Sequence, residues 1–338
     1  MGLKAVLADV HANLEALEAV LAHAKDNKAE EYIFLGDYVG YGADPVACLE
    51  YIEQLSEKEK VRCILGNHDK NVLDYLESEV AMHFFEGNPF AQMSWEYAAK
   101  QLLGGFSREQ ARKHSMEKLC YELAWKELAE KYPKDIETLE YRLKKGKGFL
   151  SFLSKNGLSA EELLKIASKK NIVKEIVKIW DAINRGRRAL SFLRDLKNNH
   201  IIKDKNAVYV HSNPLEPSGN KYVVSHSLAK SAGLEREDYF TQKEVCEQYE
   251  GKETWLFVGH SHFPTTRIRK IKGHYLFNVG SVGQHREKKA GKHLMKATYA
   301  LFDDEKEGKD AITLQRVDYN WRKTEQKCKD ANLRIPVS

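Results

Sequence analysis

The 338-residue sequence lacks the features of several large protein classes. No apolar run approaches the roughly 18 residues that a membrane helix requires. The short apolar run near the N-terminus meets a carboxylate at Asp9, so a signal peptide is not expected. The GxSxG motif of serine hydrolases and the GxxxxGK[ST] phosphate-binding loop are both absent. Neither a serine nucleophile of this type nor a P-loop is therefore expected.

Cysteine is scarce and follows no ligand pattern. The five cysteines are odd in number and widely scattered, and no C-x-x-C pair occurs. Neither a disulfide framework nor a thiolate metal site is expected from such spacing. Reduced thiols and a cytoplasmic location are the predicted alternative. The residues concerned are Cys48, Cys63, Cys120, Cys246 and Cys328.

The positive charge is concentrated in one block of the chain. Residues 101–210 carry 24 Lys and Arg against 14 Asp and Glu, whereas the remainder carries 30 against 35. A basic block can bind nucleic acid or another polyanion through its positive charge. It can equally be the solvated, Lys-rich surface of a cap or dimerisation element, because Lys and Glu interleave here at helical spacing. The second interpretation is favoured, so nucleic acid is a possible partner but not the preferred one.

The same block is predicted to be helical. The segments 107–110 and 159–162 both fit the capping-box pattern, and the Gly-containing stretch 144–148 breaks the helices between them. We therefore predict an inserted, Lys-rich helical subdomain at residues 104–186. Residues 1–103 and 187–338 would form the core.

The first third of the chain alternates strand-forming and helix-forming segments. Strands are predicted at residues 4–8, 32–35 and 61–65. One helix follows a cap at Asn13, and a second follows the pair Asp44-Pro45, a cap and then a proline at the first helical position.

Polar clusters follow these strands at regular intervals. Asp9, Asp37 and Asn67 lie 28 and 30 residues apart, about the length of one strand–helix–strand unit. The carboxyl ends of parallel strands meet at one edge of a sheet, where ligands collect. The pattern therefore predicts a site assembled there from several loops.

Strand-like segments return in the second half. They lie at residues 207–210, 255–258, 275–284, 297–302 and 312–317, and a charged helix is predicted at 321–331. Two of these strands lead into histidines, namely His211 after the first and His260 and His262 after the second.

Carboxylate, imidazole and amide oxygen are ligands for divalent metals such as Mn, Fe, Zn, Co or Ni. Seven candidate ligands are too many for one tetrahedral zinc but suit two metals that share a bridging carboxylate, for which Asp37 is the natural choice. Two such metals activate a bridging hydroxide and stabilise an in-line displacement at phosphorus. The seven are Asp9, His11, Asp37, Asn67, His211, His260 and His262.

The order of these clusters resembles the calcineurin-like metallophosphoesterases, most closely their prokaryotic phosphodiesterase-like branch. The resemblance rests on six blocks and covers roughly residues 1–103 and 187–335. It implies a four-layer α/β-β/α sandwich, to which this chain adds the helical insertion. The blocks are Asp9–Asn13, Gly36–Pro45, Gly66–Asp69, Val210–Pro214, Gly259–His262 and Asn278–Gln284.

The resemblance also implies a role for each site residue. Metal 1 would take Asp9, His11, Asp37 and His262, and metal 2 would take Asp37, Asn67, His211 and His260. His68 is similar in position to the family's non-ligand histidine, which steadies the phosphoryl oxygens or protonates the leaving group. Asp69 would hydrogen-bond His68 and orient it.

Several positions depart from the family pattern. Ala12 replaces a glycine, Ser261 replaces a threonine and Val279 replaces a proline, and none of these removes a ligand. Ser212-Asn213 replaces Gly-Ser and makes His226 a competitor of His211. His211 is preferred because it directly follows a strand and precedes a proline.

The expected function is a dinuclear metal-dependent phosphoester hydrolase, either a phosphodiesterase or a nucleotide-type phosphohydrolase. The alternatives are a phosphatase acting on phosphoprotein or dinucleoside polyphosphate and, in a different class, a non-catalytic binding scaffold. Tyr38 and Tyr41 could stack a base or simply pack in the core. The sequence predicts no substrate-binding residues, no oligomeric state and no membrane partner.

Overall fold

The structure is a computed structural model that describes residues 2–77, 89–104 and 170–333, except 251, 253, 287, 290, 291 and 294. The chain divides into two compact units, one made of residues 1–99 and 189–338 and the other of residues 100–188. Within the described residues, no helix is both long and apolar enough to cross a lipid bilayer.

The first sheet of the larger unit has five strands in the order β14-β13-β1-β2-β3. Strands β1, β2 and β3 are parallel, whereas β13 pairs antiparallel with both β1 and β14. Its strands are β1 (Leu3–Leu7), β2 (Glu31–Phe34), β3 (Lys60–Cys63), β13 (Lys296–Asp303) and β14 (Ile312–Asp318).

The second sheet also has five strands, in the order β4-β5-β8-β10-β9. Its three central strands are parallel, and β4 and β9 pair antiparallel at the two edges. Its strands are β4 (Ile201–Lys203), β5 (Ala207–Val210), β8 (Thr254–Val258), β9 (Lys270–Ile271) and β10 (His274–Asn278).

The two sheets pack face to face through one apolar core. Val6 and Ile33 of the first sheet share this core with Tyr209, Phe257 and Phe277 of the second, and all five are buried. Successive residues of a strand point to opposite faces, so each sheet also buries an outer face. The near-continuous apolar runs of the central strands follow from this double burial.

Helices cover the outer faces. On the first sheet, α1 packs against β13 and β14, and α2 against β3; on the second, α7 packs against β9 and β10. The predicted four-layer α/β-β/α sandwich is therefore confirmed. The covering helices are α1 (Leu14–Asp26), α2 (Pro45–Ser56), α7 (Gln242–Gln248) and α8 (Trp321–Asp330), which packs on α1.

The remaining described elements lie outside the two five-stranded sheets and their covering helices. They are α3 (Asn67–Glu77), α4 (Pro89–Leu102), α5 (Lys170–Asp195), β6 (Tyr222–Val223), α6 (His226–Ser231), β7 (Tyr239–Phe240), β11 (Lys288–Lys289) and β12 (Lys292–His293), with 3-10 turns at Arg236–Asp238 and Gly308–Ala311. The predicted capping boxes at 107–110 and 159–162 and the break at 144–148 lie outside the described residues.

The two predicted helix caps differ in the structure. The Asn13 side chain accepts a hydrogen bond from the Ala16 N–H and caps α1 as expected. Helix α2 begins at Pro45 as predicted, but the Asp44 side chain makes no capping hydrogen bond. Its carboxylate instead accepts a hydrogen bond of 2.8 Å from the Lys327 ammonium of α8. A long-range ion pair has therefore replaced a local cap.

A network of charged side chains joins the two sheets at the amino ends of β1 and β3. The Lys4 ammonium lies 2.8 Å from one carboxylate oxygen of Asp204, and the Arg62 guanidinium donates to both oxygens at 2.8 and 2.9 Å. Asp204 lies in the turn between β4 and β5, in the second sheet. This network forms a clamp across the sandwich at the ends of β1 and β3 opposite their polar clusters.

Candidate metal centre

The polar clusters predicted from the sequence lie at the carboxyl ends of strands in both sheets. Asp9, Asp37 and Asn67 follow β1, β2 and β3, whereas His211 follows β5 and His260 follows β8. The two sheets face each other, so these ends meet above the shared core. Of the seven predicted ligands, all are buried except Asn67, which is half-buried.

Five of the seven adopt a left-handed backbone. Their φ angles lie between 47° and 62°, a region that non-glycine residues rarely occupy. Such a conformation costs on the order of 1–3 kcal/mol at each residue and persists where the surrounding fold enforces it. Here it turns each chain segment sharply after a strand and aims the side chain inward. The five are Asp9, His11, Asp37, His260 and His262.

Asp9, His11 and His262 form the first group. The Nε2 atoms of His11 and His262 lie 3.0 Å apart, and Asp9 Oδ1 lies 3.4 Å from His262 Nε2. The other ring nitrogen of His11 donates to the Val39 carbonyl at 3.2 Å, which leaves a lone pair on Nε2. One ligand atom from each of the three lies within 4.8 Å of the others.

The second group contains Asp37, His211 and His260, with Asn67 beside them. The Nδ1 of His211 donates to the Leu35 carbonyl at 2.7 Å, while its Nε2 faces Asn67 Oδ1 at 2.9 Å and Asp37 Oδ2 at 3.4 Å. His260 donates through Nε2 to the Asn220 carbonyl at 2.9 Å, which leaves Nδ1 as its free lone pair.

Asp37 lies between the two groups. Its Oδ2 is 3.4 Å from His211 Nε2 and 3.7 Å from His11 Nε2, so one carboxylate oxygen faces both. The other oxygen accepts the backbone N–H of His68 at 2.8 Å. Asp37 therefore faces candidate ligand atoms of both groups.

Burial sets the charge state of most of these side chains. It lowers the pKa values of His11, His260 and His262 well below the ordinary histidine value, so all three imidazoles are neutral at pH 7. It also raises the pKa of Asp9 to about 6. Neutral imidazoles keep the lone pairs that a metal requires.

Asp37 and His211 are the exceptions, because the charge of each offsets the effect of burial on the pKa of the other. Burial opposes ionisation of Asp37, but the positive charge of His211 and its hydrogen bond hold the pKa of Asp37 well below the usual range. Burial likewise lowers the pKa of His211, yet the Asp37 and Asp9 carboxylates raise it to about 9. Asp37 is therefore ionised. Its negative charge can be balanced by a proton on His211 or, in its place, by a divalent cation.

The surroundings of Asp69 correct one expectation. Its carboxylate accepts four backbone N–H groups, from Asp37, Tyr38, Val39 and Gly66, at 2.8 to 3.2 Å. These bonds engage both oxygens and hold the loop after β2. The predicted hydrogen bond between Asp69 and His68 is not formed, and His68 has a different partner. The Trp95 indole N–H donates to His68 Nδ1 at 2.7 Å.

Gly66 allows two backbone segments of the centre to pack closely. A Cβ atom at this position would lie 2.1 Å from Asp37 Oδ1 and 2.2 Å from the Asp37 nitrogen. Only a glycine lets the start of α3 pack directly against the loop that presents Asp37.

The segment after β10 braces the first group. The N–H groups of Val282 and Gly283 donate to the carbonyls of Ala8 and Asp9 at 2.9 Å, and the Ser281 hydroxyl donates to the Asp9 carbonyl at the same distance. This loop therefore fixes the backbone of Asp9, which is a function that the sequence pattern did not reveal.

The geometry bears on two alternatives that the sequence leaves open. His226 is exposed at the start of α6, where it hydrogen-bonds the Tyr239 hydroxyl at 2.7 Å, whereas His211 faces Asp37. Tyr38 is fully buried and donates to the Ile64 carbonyl at 2.8 Å, so it packs. Tyr41 is half-buried, with its ring centroid 4.6 Å from that of His68.

Four further residues at the centre carry no signal in the sequence. Trp95 contacts His68, Asn220 fixes His260, and the Tyr222 ring stacks on His260 at 4.2 Å. Burial raises the pKa of Tyr41 to about 12, and Arg286 is the positive charge that opposes this rise. No local pattern marks these residues, because each reaches the centre from a segment outside the strand-end clusters.

Comparisons with known proteins identify the family. Residues 4–264 match the family model described as calcineurin-like phosphoesterase. An uncharacterized protein of Methanocaldococcus jannaschii is 25% identical across 96% of this chain and 90% of its own. The symmetrical bis(5'-nucleosyl)-tetraphosphatase of Glaesserella parasuis is 33% identical, but over 73 residues that span 21% of this chain and 26% of that protein.

Solved structures show the same fold. A metallophosphoesterase from Sphaerobacter thermophilus aligns with a TM-score of 0.52 at 21% identity, covering 98% of this chain and 95% of that one. A hypothetical protein from Pyrococcus horikoshii aligns with a TM-score of 0.52 at 18% identity, covering 100% and 96%. Since the family model spans most of the chain, the protein belongs to the calcineurin-like phosphoesterase family and is a metallophosphoesterase.

Proposed function

We propose that this protein is a dinuclear metal-dependent hydrolase of phosphodiesters or of nucleotide-type phosphoesters. The observation that carries the proposal is the shared position of Asp37, which faces both ligand groups. Family membership supports phosphoester hydrolysis in general. The number of metals, their ligands and the substrate class are the proposed parts.

The donor atoms fit two divalent cations. Metal 1 would be held by Asp9, His11, Asp37 and His262, and metal 2 by Asp37, Asn67, His211 and His260. Oxygen and imidazole donors without thiolate suit Mn, Fe, Zn, Ni or Co, and manganese is the metal of choice for a first test. When bound, such cations supply positive charge to phosphoryl oxygens and lower the pKa of water.

The protein's own side chains would define the space beside the metals. Asp69 holds the loop that carries Asp37, and His68 is placed by Trp95 next to the same loop. Arg286 lies close enough for its charge to act on Tyr41, Tyr222 and His262, so it would attract a phosphate group.

The aromatic rings favour a substrate that carries a base or an aryl group. The half-buried rings of Tyr41 and Tyr222 pack against ligand imidazoles on two sides of the centre, the first against His11 and the second against His260. Such rings can stack on a planar leaving group. The local similarity to a bis(5'-nucleosyl)-tetraphosphatase makes a dinucleoside polyphosphate the second candidate.

We propose a cytoplasmic location as well. The four cysteines within the described residues, Cys48, Cys63, Cys246 and Cys328, are all free thiols, as expected in a reducing compartment.

The test is turnover by purified, manganese-loaded protein of an aryl phosphodiester, its matched monoester and diadenosine tetraphosphate. A preference for the diester or for the dinucleotide supports the corresponding proposal, and a monoester preference overturns both. Asp37→Asn serves as the inactive control. A protein that binds two metals yet turns over none of the three substrates with any of the five metals would be the non-catalytic scaffold.

A further inference from the structure

The hydrogen bond between Trp95 and His68 has only one possible direction. An indole nitrogen is always a donor and never an acceptor. Trp95 Nε1 lies 2.7 Å from His68 Nδ1, and both residues are buried, so the imidazole must accept at Nδ1. The proton of the neutral ring then sits on Nε2.

Packing holds the imidazole in this orientation. A Cβ atom on Gly40, whose φ is +89°, would lie 2.5 Å from His68 Nδ1, so the loop backbone is tight against that edge of the ring. Ring centroids of Tyr41 and His11 lie 4.6 and 4.8 Å away. A proton on Nδ1 would point at the Trp95 N–H, and two buried donors facing each other at this distance are strongly unfavourable.

The position of His68 connects this bond to the metal centre. One of its ring nitrogens lies within 4.8 Å of ligand atoms of both His11 and Asp37. Because Nδ1 is engaged by Trp95, Nε2–H is the group left to contact a ligand there. A neutral imidazole readily donates a hydrogen bond through Nε2–H, but it gives up that proton only to a very strong base.

We propose that Trp95 is a positioning residue that fixes His68 as the neutral Nε2–H tautomer, so that His68 donates a hydrogen bond to a phosphoryl oxygen and does not protonate the leaving group. The family resemblance leaves both of these roles open for His68. The inference rests on the proposed function for its effect on rate, whereas the tautomer is measured independently of turnover.

The first arm of the test reads the tautomer directly. Long-range ¹H–¹⁵N spectra of metal-free protein labelled on histidine, assigned with His68→Gln, should show His68 protonated on Nε2 alone. Trp95→Phe keeps the ring but removes the N–H, and it should give the averaged shifts of mixed tautomers. Trp321→Phe, in the partly exposed helix α8, is the matched control and should resemble the wild type.

The second arm uses the manganese-loaded enzyme and aryl phosphodiesters whose leaving groups differ in pKa. Trp95→Phe should lower kcat in proportion to the share of the population that presents no donor, about twofold for an even mixture of tautomers. His68→Gln keeps an amide donor and should retain more activity than His68→Ala. Since no proton is transferred, the loss in each variant should be equal for good and poor leaving groups.

Three results would overturn the inference. The first is a wild-type His68 that is protonated on Nδ1 or on both nitrogens. The second is an unchanged tautomer in Trp95→Phe. The third is a rate loss in His68→Ala that is confined to substrates with poor leaving groups. Wild-type spectra decide the first point even if a variant fails to fold. Absence of turnover in the wild type would count against the proposed function, and the spectra would still decide the tautomer.

Discussion

The Oδ2 atom of Asp37 lies 3.4 Å from the Nε2 atom of His211, and both side chains are buried where the two sheets meet. This contact links a loop of the first sheet to a strand end of the second. Because the same oxygen also faces His11 at 3.7 Å, loss of the Asp37 charge should affect both ligand groups at once.

Asp37→Asn should therefore lose both metals. We expect metal content to fall from about two ions per chain to fewer than one, because the neutral amide cannot bridge two cations. Elemental analysis of the purified protein after dialysis against manganese measures this. Asp318→Asn is the matched control, since Asp318 pairs with Lys296 on the surface. Two ions per chain in Asp37→Asn would refute the bridging role.

Gly66→Ala should damage the centre without replacing a predicted ligand. The added Cβ would collide with the Asp37 carboxylate and backbone, so we expect about 1–3 kcal/mol of lost stability together with weaker metal binding. Denaturant unfolding and a metal titration report the two effects. Gly233→Ala provides the control, because its φ of +70° makes it strained while no atom lies within 4 Å. Equal metal affinity in the two variants would contradict the crowding argument.

The proposed insertion at residues 104–186 should be removable. Within the smaller unit, a Cβ on Gly186 would lie 2.5 Å from the Leu102 carbonyl oxygen, so the two ends of the segment come together. A short Gly-Ser linker in place of residues 105–185 should leave a folded protein that still binds two metals. Circular dichroism and elemental analysis check this. A deletion variant that does not fold would place part of the core inside the segment.

The clamp on Asp204 predicts a pH dependence that is separate from the metal centre. Burial alone would raise the pKa of Asp204. Hydrogen bonds from Arg62 and Lys4 outweigh this effect and lower the pKa to about 2, below the ordinary value of 3.8. The unfolded chain therefore binds the proton first as the pH falls. The stabilisation is complete above about pH 4 and is lost as the pH falls through 2.

Asp204→Asn should accordingly be about 1 kcal/mol less stable than the wild type at pH 7, a value reduced by solvent screening of the partly exposed group. The difference should shrink to a small part of this value at pH 2, where the native carboxylate is half protonated. Urea unfolding at both pH values measures it. A difference that persists unchanged at pH 2 would show that packing, and not charge, stabilises this turn.

The sequence was sufficient for those features that depend on neighbours along the chain. Strand-forming runs followed by polar residues located Asp9, Asp37 and His211 at strand ends, because hydrophobic periodicity is a local signal. The structure places them together as expected. His226 could be ranked below His211 on the same local grounds.

Features that depend on distant partners escaped prediction. Asp44 looked like a helix cap, but Lys327, 283 residues away, binds its carboxylate. Asp69 looked like a partner for His68, but the loop from Asp37 to Val39 offers it backbone donors that only the folded chain brings near. Trp95 had no motif at all, since an indole in a helix is usually just part of the core.

The left-handed backbone at five of the predicted ligand positions has a consequence for stability. Glycine would relieve the strain at these positions, so aspartate and histidine there lower the free energy of unfolding. The side chains that would hold the metals therefore weaken the metal-free fold. Bound metal would offset that loss, because a ligand that binds only the native state stabilises it.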